Sequence, residues 1–358
     1  MNRSLILIAA LNLTTGCALF HSATGGKLAA ATNTLEAAGG EAAQIVKDGQ
    51  ARAKAKCDPI RTAEVAWVEE RAMGGVVSVQ QVSRFGNLVL DGFTEEEPAP
   101  LLQRVKDSEK DASKKLKLPD SAKNDLTAYV SVVGRNLARY SARPEIPWTF
   151  AVIENDTPNA FSAPGGYVVV TTGLLRKMTN EAQLAGVLAH EIGHVVHKHS
   201  IKRYRDAKAT QCDIATFGGY VVGKGLQAAV SMLPADAREA AKFAKDFENF
   251  DLDKADGGFV VFVMDAVMKL IEAMGNEKED EFQADATALE LVAFAGYDAS
   301  EYETFLTSLG DSGGGFSKHP STGERVSKLK ALRTGDLAPF ATGTAKPDVS
   351  KAFAPIKK

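Results

Sequence analysis

Cysteine, aromatic side chains and any excess of charge of one sign are scarce in this sequence. The chain of 358 residues has 3 Cys, 7% aromatic residues, and 42 basic against 45 acidic residues, for a formal net charge of -3. The charges are mixed along the chain, so no basic stripe is available to bind a phosphate backbone. Nucleic acid is therefore not an expected partner, and the composition is that of a globular protein of one large or two modest domains.

Long hydrophobic runs are also lacking. A membrane-spanning helix needs about 20 consecutive apolar residues, and the run from Leu5 to Leu13 is shorter than that. The apolar run from Phe259 to Met274 contains Asp265, Lys269 and Glu272. These charges favour an amphipathic helix over a membrane span.

The amino terminus has the layout of an export signal, because Arg3 precedes the first apolar run and small residues follow it. The segment Thr14-Thr15-Gly16-Cys17 resembles a bacterial lipoprotein lipobox, although Thr14 stands where leucine is usual. We interpret the protein as exported to the bacterial periplasm or cell envelope and anchored to the membrane by a lipid on Cys17. A plain cleaved signal and a short uncleaved anchor are the alternatives.

The two remaining cysteines are Cys57 and Cys212. An even number permits a disulfide in an exported protein, but their separation matches no motif. Two independent thiols are an equal alternative, and neither residue has the spacing of a cysteine-based metal site.

Four parts are predicted along the chain. Residues 1–17 are the signal segment, 18–100 an Ala-rich spacer and accessory region, 101–335 the main domain, and 336–358 a flexible tail rich in Pro, Ala and Lys. Within the main domain, periodicity predicts helices over residues 101–116, 126–137, 277–295 and 300–309. Runs of β-branched and aromatic residues predict strands over 148–153 and 167–171. A further helix is predicted from an Asn180 cap, with Gln183 at its third position, to about His199.

Inside that helix lies the HExxH pentapeptide His190-Glu191-Ile192-Gly193-His194. Four residues advance a helix by just over one turn, which places both imidazoles on one face, where a single zinc ion can take both nitrogens. Glu191 can take a proton from a water that the zinc activates for attack on a peptide carbonyl. Apolar residues on both sides mark a core helix, in which two unpaired surface-type histidines would be costly to bury.

A tetrahedral zinc site needs a third protein ligand. The metzincin pattern would have glycine at 197 and histidine at 200, but His197 and Ser200 stand there, so that class is excluded. The other common solution is a glutamate on a later helix, with an aspartate one turn on that hydrogen-bonds a ligating histidine. Glu281 and Asp285 have this spacing, which makes Glu281 the candidate ligand. The competing carboxylates, neither of which has an aspartate four residues on, are Glu277 and Glu279.

Two more histidines follow the pentapeptide. If the helix continues, His197 lies on the face of the first two histidines but one turn too far along for the same ion, so it is expected at the edge of the cleft. His199 would point to the opposite side, as a packed histidine bonded to backbone.

Several stretches, in order, resemble one group of zinc peptidases: the bacterial HtpX-type proteases, the eukaryotic CAAX prenyl protease and the periplasmic β-barrel assembly-enhancing proteases. The stretches are residues 159–166 (Asn-Ala-Phe-Ser-Ala-Pro-Gly-Gly), 172–175 (Thr-Gly-Leu-Leu), 180–181 leading into the pentapeptide helix, 281–285, and 319–325 (His-Pro-Ser-Thr-Gly-Glu-Arg). Together they span about residues 101–332 and are far more specific than the pentapeptide alone.

The resemblance implies an α+β, mainly helical, zincin-type fold with a small β-sheet. An edge strand of this sheet would line the active-site cleft and pair with an extended substrate. The residues that the resemblance places along this strand and its turn are Asn159, Ala160, Phe161, Gly165 and Gly166. Ser162 departs from the family pattern, which usually has a small apolar residue there. The membrane helices of the HtpX and prenyl protease branches are missing, which favours the exported, soluble branch and argues against a prenylated substrate.

The resemblance also matches His319 and Arg325 to the family's carboxy-terminal His-Pro motif. His319 would act in catalysis by stabilising the oxyanion, or occupy the open zinc position in a resting state. A capping interaction at a helix start is the alternative. Arg325 would support the site from behind the ligands.

The expected function is that of a zinc-dependent endopeptidase, with one Zn²⁺ per chain, that cuts misfolded or unassembled polypeptides of the cell envelope. The chemistry is argued from residues, whereas the quality-control role is implied by the resemblance. One alternative is a periplasmic chaperone or assembly factor that retains the metal site. Another is an envelope scaffold that uses the Ala-rich region as a partner surface.

Overall fold

A computed structural model describes residues 41–85, 87–89, 121–223, 278–310 and 322–356. These residues group into two compact units: the smaller includes 41–64 and 202–223, and the larger includes the others. Some predictions lie outside the described ranges. They are the signal segment with Cys17, the helix over residues 101–116, the apolar run over 259–274, and His319.

Helices dominate the described part of the chain. They are α1 (Glu41–Thr62), α2 (Trp67–Phe85), α3 (Ser121–Ala138), α4 (Thr172–Leu175), α5 (Glu181–Val196), α6 (His199–Gly223), α7 (Lys278–Phe294), α8 (Ser300–Leu309) and α9 (Thr322–Thr334), with a 3-10 turn at Ala354–Ile356. The strands are β1 (Asn87–Val89), β2 (Thr149–Glu154), β3 (Ala160–Ala163) and β4 (Tyr167–Thr171). The prediction of a mainly helical fold with a small sheet is confirmed. In the described ranges, no helix has the length and apolar character needed to span a bilayer.

In the smaller unit, a disulfide between Cys57 and Cys212 joins α1 to α6. One of the two alternatives for the cysteines is therefore realised. Next to it, Arg61 donates hydrogen bonds to Asp58 at 2.8 Å and to Asp213 at 2.6 Å. This ion pair is a second link between the same two helices.

The larger unit contains a four-stranded sheet in the order β1-β2-β4-β3. The central strands β2 and β4 are parallel, and β1 and β3 pair with them in antiparallel fashion. Every residue of β4 is buried, as is every residue of β2 except Glu154. Such burial explains the continuous apolar runs in these strands. Among the described strands, β3 forms one edge of the sheet.

Helix α5 lies at the centre of the larger unit. All of its residues from Ala182 to Val195 are buried, because α3, α7, α8 and β3 pack around it. Glycine allows one of these contacts to be very close: a Cβ added at Gly193 would lie 3.0 Å from the Cα of Ala284 in α7. Helix α7 can therefore lie directly against the turn that carries the pentapeptide.

Helix α5 begins as its capping pattern predicts. The Asn180 side chain accepts a hydrogen bond from the Gln183 backbone N–H at 3.1 Å, and the Gln183 side chain accepts one from the N–H that precedes the cap. The helix ends at Val196 and is shorter than predicted. Lys198 adopts a left-handed φ of 56°, and a new helix begins at His199.

Residues 65–89 were expected in an accessory region apart from the main domain, but they belong to the larger unit. Helix α2 packs against β1, β3 and β4. Its Glu70 and Arg71 are buried, with 1% and 5% exposure.

Residues 336–356 pack onto the larger unit, in contrast to the flexible tail that composition predicts. The backbone carbonyl of Pro347 accepts a hydrogen bond from Glu181 N at 2.9 Å, and that of Ile356 accepts one from Arg176 Nε at 2.6 Å. Leu337 is buried near the start of the segment, and three apolar residues are buried near its end: Val349, Phe353 and Ile356. Their spacing of three to four residues places them on one side of the segment, although Pro, Ala and Lys dominate its composition.

We predict that Phe353→Ala lowers the free energy of unfolding by about 3–5 kcal/mol, because it removes a buried ring and leaves a cavity. Phe353 has no exposed surface, and its ring packs edge-on against Tyr129. The control is Phe340→Ala at a ring that is 55% exposed, which should cost less than about 1 kcal/mol. Denaturant unfolding of both variants is the measurement. Equal, small losses would show that the segment does not contribute to the core.

Candidate metal centre and active site

His190 and His194 lie one turn apart on α5 and direct the same ring nitrogen to one point. Their Nε2 atoms are 3.1 Å apart, and the two rings are almost perpendicular, at 88°. Both side chains are buried. The helical spacing of the pentapeptide therefore brings the two imidazoles together as predicted.

Glu281, in the first turn of α7, supplies a third donor group. Its Oε2 lies 3.4 Å from His190 Nε2, and its Oε1 lies 3.4 Å from His194 Nε2. Ligand atoms at about 2.1 Å from a tetrahedral zinc ion are about 3.4 Å from one another. The three side chains thus fit one tetrahedral cation, and no other such group of His, Cys, Asp or Glu occurs in the described ranges.

The other candidates do not take this position. Glu279 is on the same turn of α7 but is exposed. Glu277 and His319 lie outside the described residues, so the roles predicted for His319 stay predictions.

Asp285 contacts His190 on the side away from the metal position. The Nδ1 of His190 is 2.9 Å from Asp285 Oδ1, and the Tyr302 hydroxyl donates to the same carboxylate at 2.9 Å. Arg325 donates two hydrogen bonds to Asp285, at 2.8 and 2.7 Å. Burial would raise the pKa of Asp285, but the bonds from Arg325 and His190 hold that pKa well below its usual range. The ionised carboxylate orients His190 so that Nε2 is free to bind a cation.

The two imidazoles have different electrostatic surroundings. Burial alone would lower the pKa of His190, but hydrogen bonds to Asp285 and Glu281 raise it to about 9. Burial lowers the pKa of His194 to about 3, against the opposing effect of Glu281. His194 is therefore a neutral nitrogen donor at ordinary pH. A cation at His190 replaces a proton, so metal binding at this site releases protons.

His199 contacts His194 directly, which the sequence did not predict. The Nδ1 atoms of the two rings are 2.8 Å apart, and His199 Nε2 is 3.0 Å from Gln283 Oε1 on α7. A His194 that binds metal through Nε2 carries its proton on Nδ1, so it donates to His199, and His199 donates onward to Gln283. The prediction that His199 points away from the ligands is wrong. The break at Lys198 starts a new helix and directs His199 toward α5 and α7.

Unlike His199, which contacts α7 through Gln283, His197 contacts this helix through Thr287. Its Nε2 lies 2.8 Å from Thr287 Oγ1, and its ring stacks on that of His199 with 5.5 Å between centroids. The side chain is half-buried. It therefore packs between Thr287 of α7 and the ring of His199.

Glu191 meets the edge strand β3 in space. The Ser162 hydroxyl donates a hydrogen bond to Glu191 Oε2 at 2.8 Å. Because Glu191 follows His190 in sequence, this contact places β3 beside the candidate metal centre. Ser162, the residue that departs from the family pattern, thus holds the carboxylate expected to move the proton, and a small apolar residue could not do so.

The residues predicted along the cleft divide into two groups. Ala160 and Phe161 lie in β3, and Asn159 precedes it, with its carbonyl bonded to Thr171 N at 3.0 Å. Gly165 and Gly166 form the turn into β4, with φ angles of 75° and 91° that favour glycine. Since the turn is buried, these glycines shape the hairpin.

We predict that His199→Phe weakens zinc affinity by about 10- to 100-fold, because His194 loses the hydrogen-bond partner that fixes its ring. The matched control is His197→Phe, which removes a neighbouring histidine that bonds to Thr287 and should change affinity by less than about 3-fold. Competition with a chromophoric chelator measures both. A full-affinity His199→Phe protein would contradict this role.

Comparison with known proteins agrees with the geometry. The sequence profile described as Peptidase family M48 matches residues 124–333, more than half of the chain. This region contains all three candidate metal-binding residues, together with Asp285, Arg325 and Ser162.

Similar proteins are named as proteases. The chain is 28% identical over 228 residues to the beta-barrel assembly-enhancing protease of Yersinia pestis, which covers 62% of this chain and 41% of that protein. It is 41% identical over 86 residues to the mitochondrial metalloendopeptidase OMA1 of Schizosaccharomyces pombe, covering 24% of this chain and 26% of that protein. It is 26% identical over 226 residues to the protease HtpX of Legionella pneumophila, covering 57% of this chain and 76% of that protein.

The chain matches less than half the length of the first two of these relatives. The profile match does not depend on that coverage, because it extends from α3 through β2, β3, β4 and the pentapeptide helix to α9. On this match and on the buried His-His-Glu cluster, the chain belongs to peptidase family M48.

Proposed function

We propose that this chain is a zinc-dependent endopeptidase that acts on polypeptides of the bacterial cell envelope. The observation that carries the proposal is the meeting of three buried side chains: the Nε2 atoms of His190 and His194 are 3.1 Å apart, and each lies 3.4 Å from one carboxylate oxygen of Glu281. Two nitrogens and one carboxylate are a donor set that suits zinc in hydrolytic enzymes, where a fourth position stays open.

In this proposal the protein residues have separate roles. Zinc would supply Lewis acidity, which polarises a peptide carbonyl and acidifies water at the site. Glu191 takes the proton from that water and passes it to the leaving amine. Ser162 holds the Glu191 carboxylate in place, and Asp285 and His199 hold the two ligand imidazoles.

An extended polypeptide is the proposed substrate, because β3 is an edge strand of the described sheet and lies beside Glu191. In an antiparallel ladder, successive residues alternate between bonding to the partner strand and facing away from it. Asn159 bonds to Thr171, and Phe161 lies opposite Val169 in the same phase. The backbone N–H and C=O groups of Ala160, and of Ser162 in the same phase, therefore face away from β4, on the side where a strand could be added.

The place of action is also part of the proposal. The name of the Yersinia pestis relative, a beta-barrel assembly-enhancing protease, supports misfolded or unassembled envelope proteins as the substrates. The lipobox-like segment supports a lipid anchor on Cys17. A lipid on this residue would hold the peptidase at a membrane surface.

We predict that Glu191→Gln lowers kcat/KM for casein and for a fluorogenic peptide by about 10²- to 10⁴-fold, because the amide cannot accept the proton. Zinc content should stay unchanged, since Glu191 is not one of the three donors. Assays of cleavage and of metal content on the same preparation test this. A variant that cleaves at the wild-type rate would rule out Glu191 as the base. If an envelope phenotype of the deletion strain is fully rescued by this variant, the protein acts as a chaperone instead.

A separate prediction concerns the third ligand. Glu281→Ala should lose most of the zinc, because two imidazoles alone bind it far more weakly. The control is Glu279→Ala, which changes an exposed carboxylate on the same turn of α7 and should leave the metal in place. Elemental analysis of both purified proteins gives the zinc per chain. A zinc content of one per chain in Glu281→Ala would refute the proposed site.

A further inference from the structure

We infer that Glu70 and Arg71 of α2 are positioning residues that fix the edge strand β3 beside the active site. This helix lies outside residues 124–333, which the family profile matches. The inference rests on the proposed function in one respect, namely that β3 receives the substrate. The contacts that support it are independent of any metal.

Both backbone polar groups of Gly165 are bound by these two side chains. Glu70 Oε1 accepts a hydrogen bond from Gly165 N at 3.1 Å, and Arg71 Nη1 donates one to Gly165 O at 2.6 Å. Gly165 is one of the two buried glycines of left-handed φ in the turn between β3 and β4. A buried backbone N–H or C=O without a partner is unfavourable, so the turn depends on α2 for its hydrogen bonds.

The helix and the turn also pack in direct contact. A Cβ added at Gly74 of α2 would lie 1.7 Å from the Pro164 carbonyl oxygen, and one added at Gly165 would lie 2.7 Å from the Arg71 Cα. No side chain fits between the two segments. The Arg71 guanidinium lies 3.8 Å from the centre of the Tyr167 ring in β4, which adds a cation–π contact.

Arg71 also reaches the neighbouring strand. Its Nη2 donates to Thr149 Oγ1, at the start of β2, at 3.1 Å. One guanidinium therefore contacts the turn, β4 and β2 at the same end of the sheet. Because an Arg fork is rigid and planar, it fixes these three segments relative to one another.

Glu70 connects the turn to the pentapeptide helix. Arg143 donates two hydrogen bonds to the Glu70 carboxylate, at 2.8 and 3.0 Å, and a third to the Val195 carbonyl of α5 at 3.2 Å. The end of α5 and the end of β3 are thereby held through one buried carboxylate. A shift of the turn would move Ser162, and with it the contact to Glu191.

The main test is Arg71→Met, which keeps an apolar chain over Tyr167 but removes the donors. We expect KM for an extended fluorogenic peptide to rise by about 3- to 10-fold. A rise of this size corresponds to the loss of one or two net hydrogen bonds that hold the substrate-binding strand. Zinc content should not change. Arg71→Lys keeps the positive charge and one donor nitrogen, so it should give a smaller rise in KM. If Arg71→Met does not fold, Arg71→Lys takes its place in the comparison.

The matched control is Arg333→Met. Arg333 makes a similar two-bond pair with Glu303 in the same unit, at 2.6 and 3.2 Å, without contacting the sheet. The KM of Arg333→Met should stay within about 2-fold of the wild-type value, because losing a partly exposed ion pair changes free energies little. An equal rise in KM for the two variants would show a general loss of stability and would overturn the inference.

A second measurement does not require activity. Hydrogen–deuterium exchange in the full chain should become faster at residues 160–166 in Arg71→Met and in Glu70→Ala, whereas α5 stays protected. Unchanged exchange in both variants would overturn the inference. If the zinc-loaded wild-type protein cleaves no extended peptide, the proposed function fails, but the exchange experiment still decides whether α2 holds the turn.

Discussion

Two imidazoles and a carboxylate, all shielded from water, meet where α7 lies against the pentapeptide turn of α5. Burying such groups is unfavourable unless each has a partner. The close contact at Gly193 brings Glu281 within reach, and the remaining nitrogens are bound by Asp285 and His199. The helix pair therefore depends on a chain of hydrogen bonds that continues into α8 and α9. In a protein that bound no cation there, burying these groups would lower the free energy of unfolding.

Those parts of the site that depend on helical spacing could be predicted from the sequence. The pair His190 and His194, and the pair Glu281 and Asp285, are each one turn apart, so local periodicity alone puts each pair on one face. The meeting of the two pairs could be predicted because few acidic residues downstream have that spacing. The amino-terminal cap of α5 and the buried strands β2 and β4 are also local features, and they form as predicted.

The remaining features depend on contacts between distant segments. His199 reaches His194 only because Lys198 takes a left-handed conformation, and nothing in the sequence marks a lysine for that role. Phe353 is buried in a segment that is rich in Pro, Ala and Lys and has few large apolar side chains. The burial of Glu70 and Arg71 could not be predicted, because a charge pattern does not reveal a buried partner such as the backbone of a turn. A left-handed backbone conformation can be predicted from the sequence only where glycine or asparagine stands.

The disulfide between Cys57 and Cys212 closes a loop of 155 residues that contains the pentapeptide. Such a crosslink lowers the conformational entropy of the unfolded chain. In the chain-entropy model, this raises the free energy of unfolding by about 5 kcal/mol. Reducing compartments keep cysteines as thiols. Recombinant material made in a bacterial cytosol and material made in the periplasm would thus have one sequence and two different resistances to heat, so the choice of expression compartment belongs among the experimental variables.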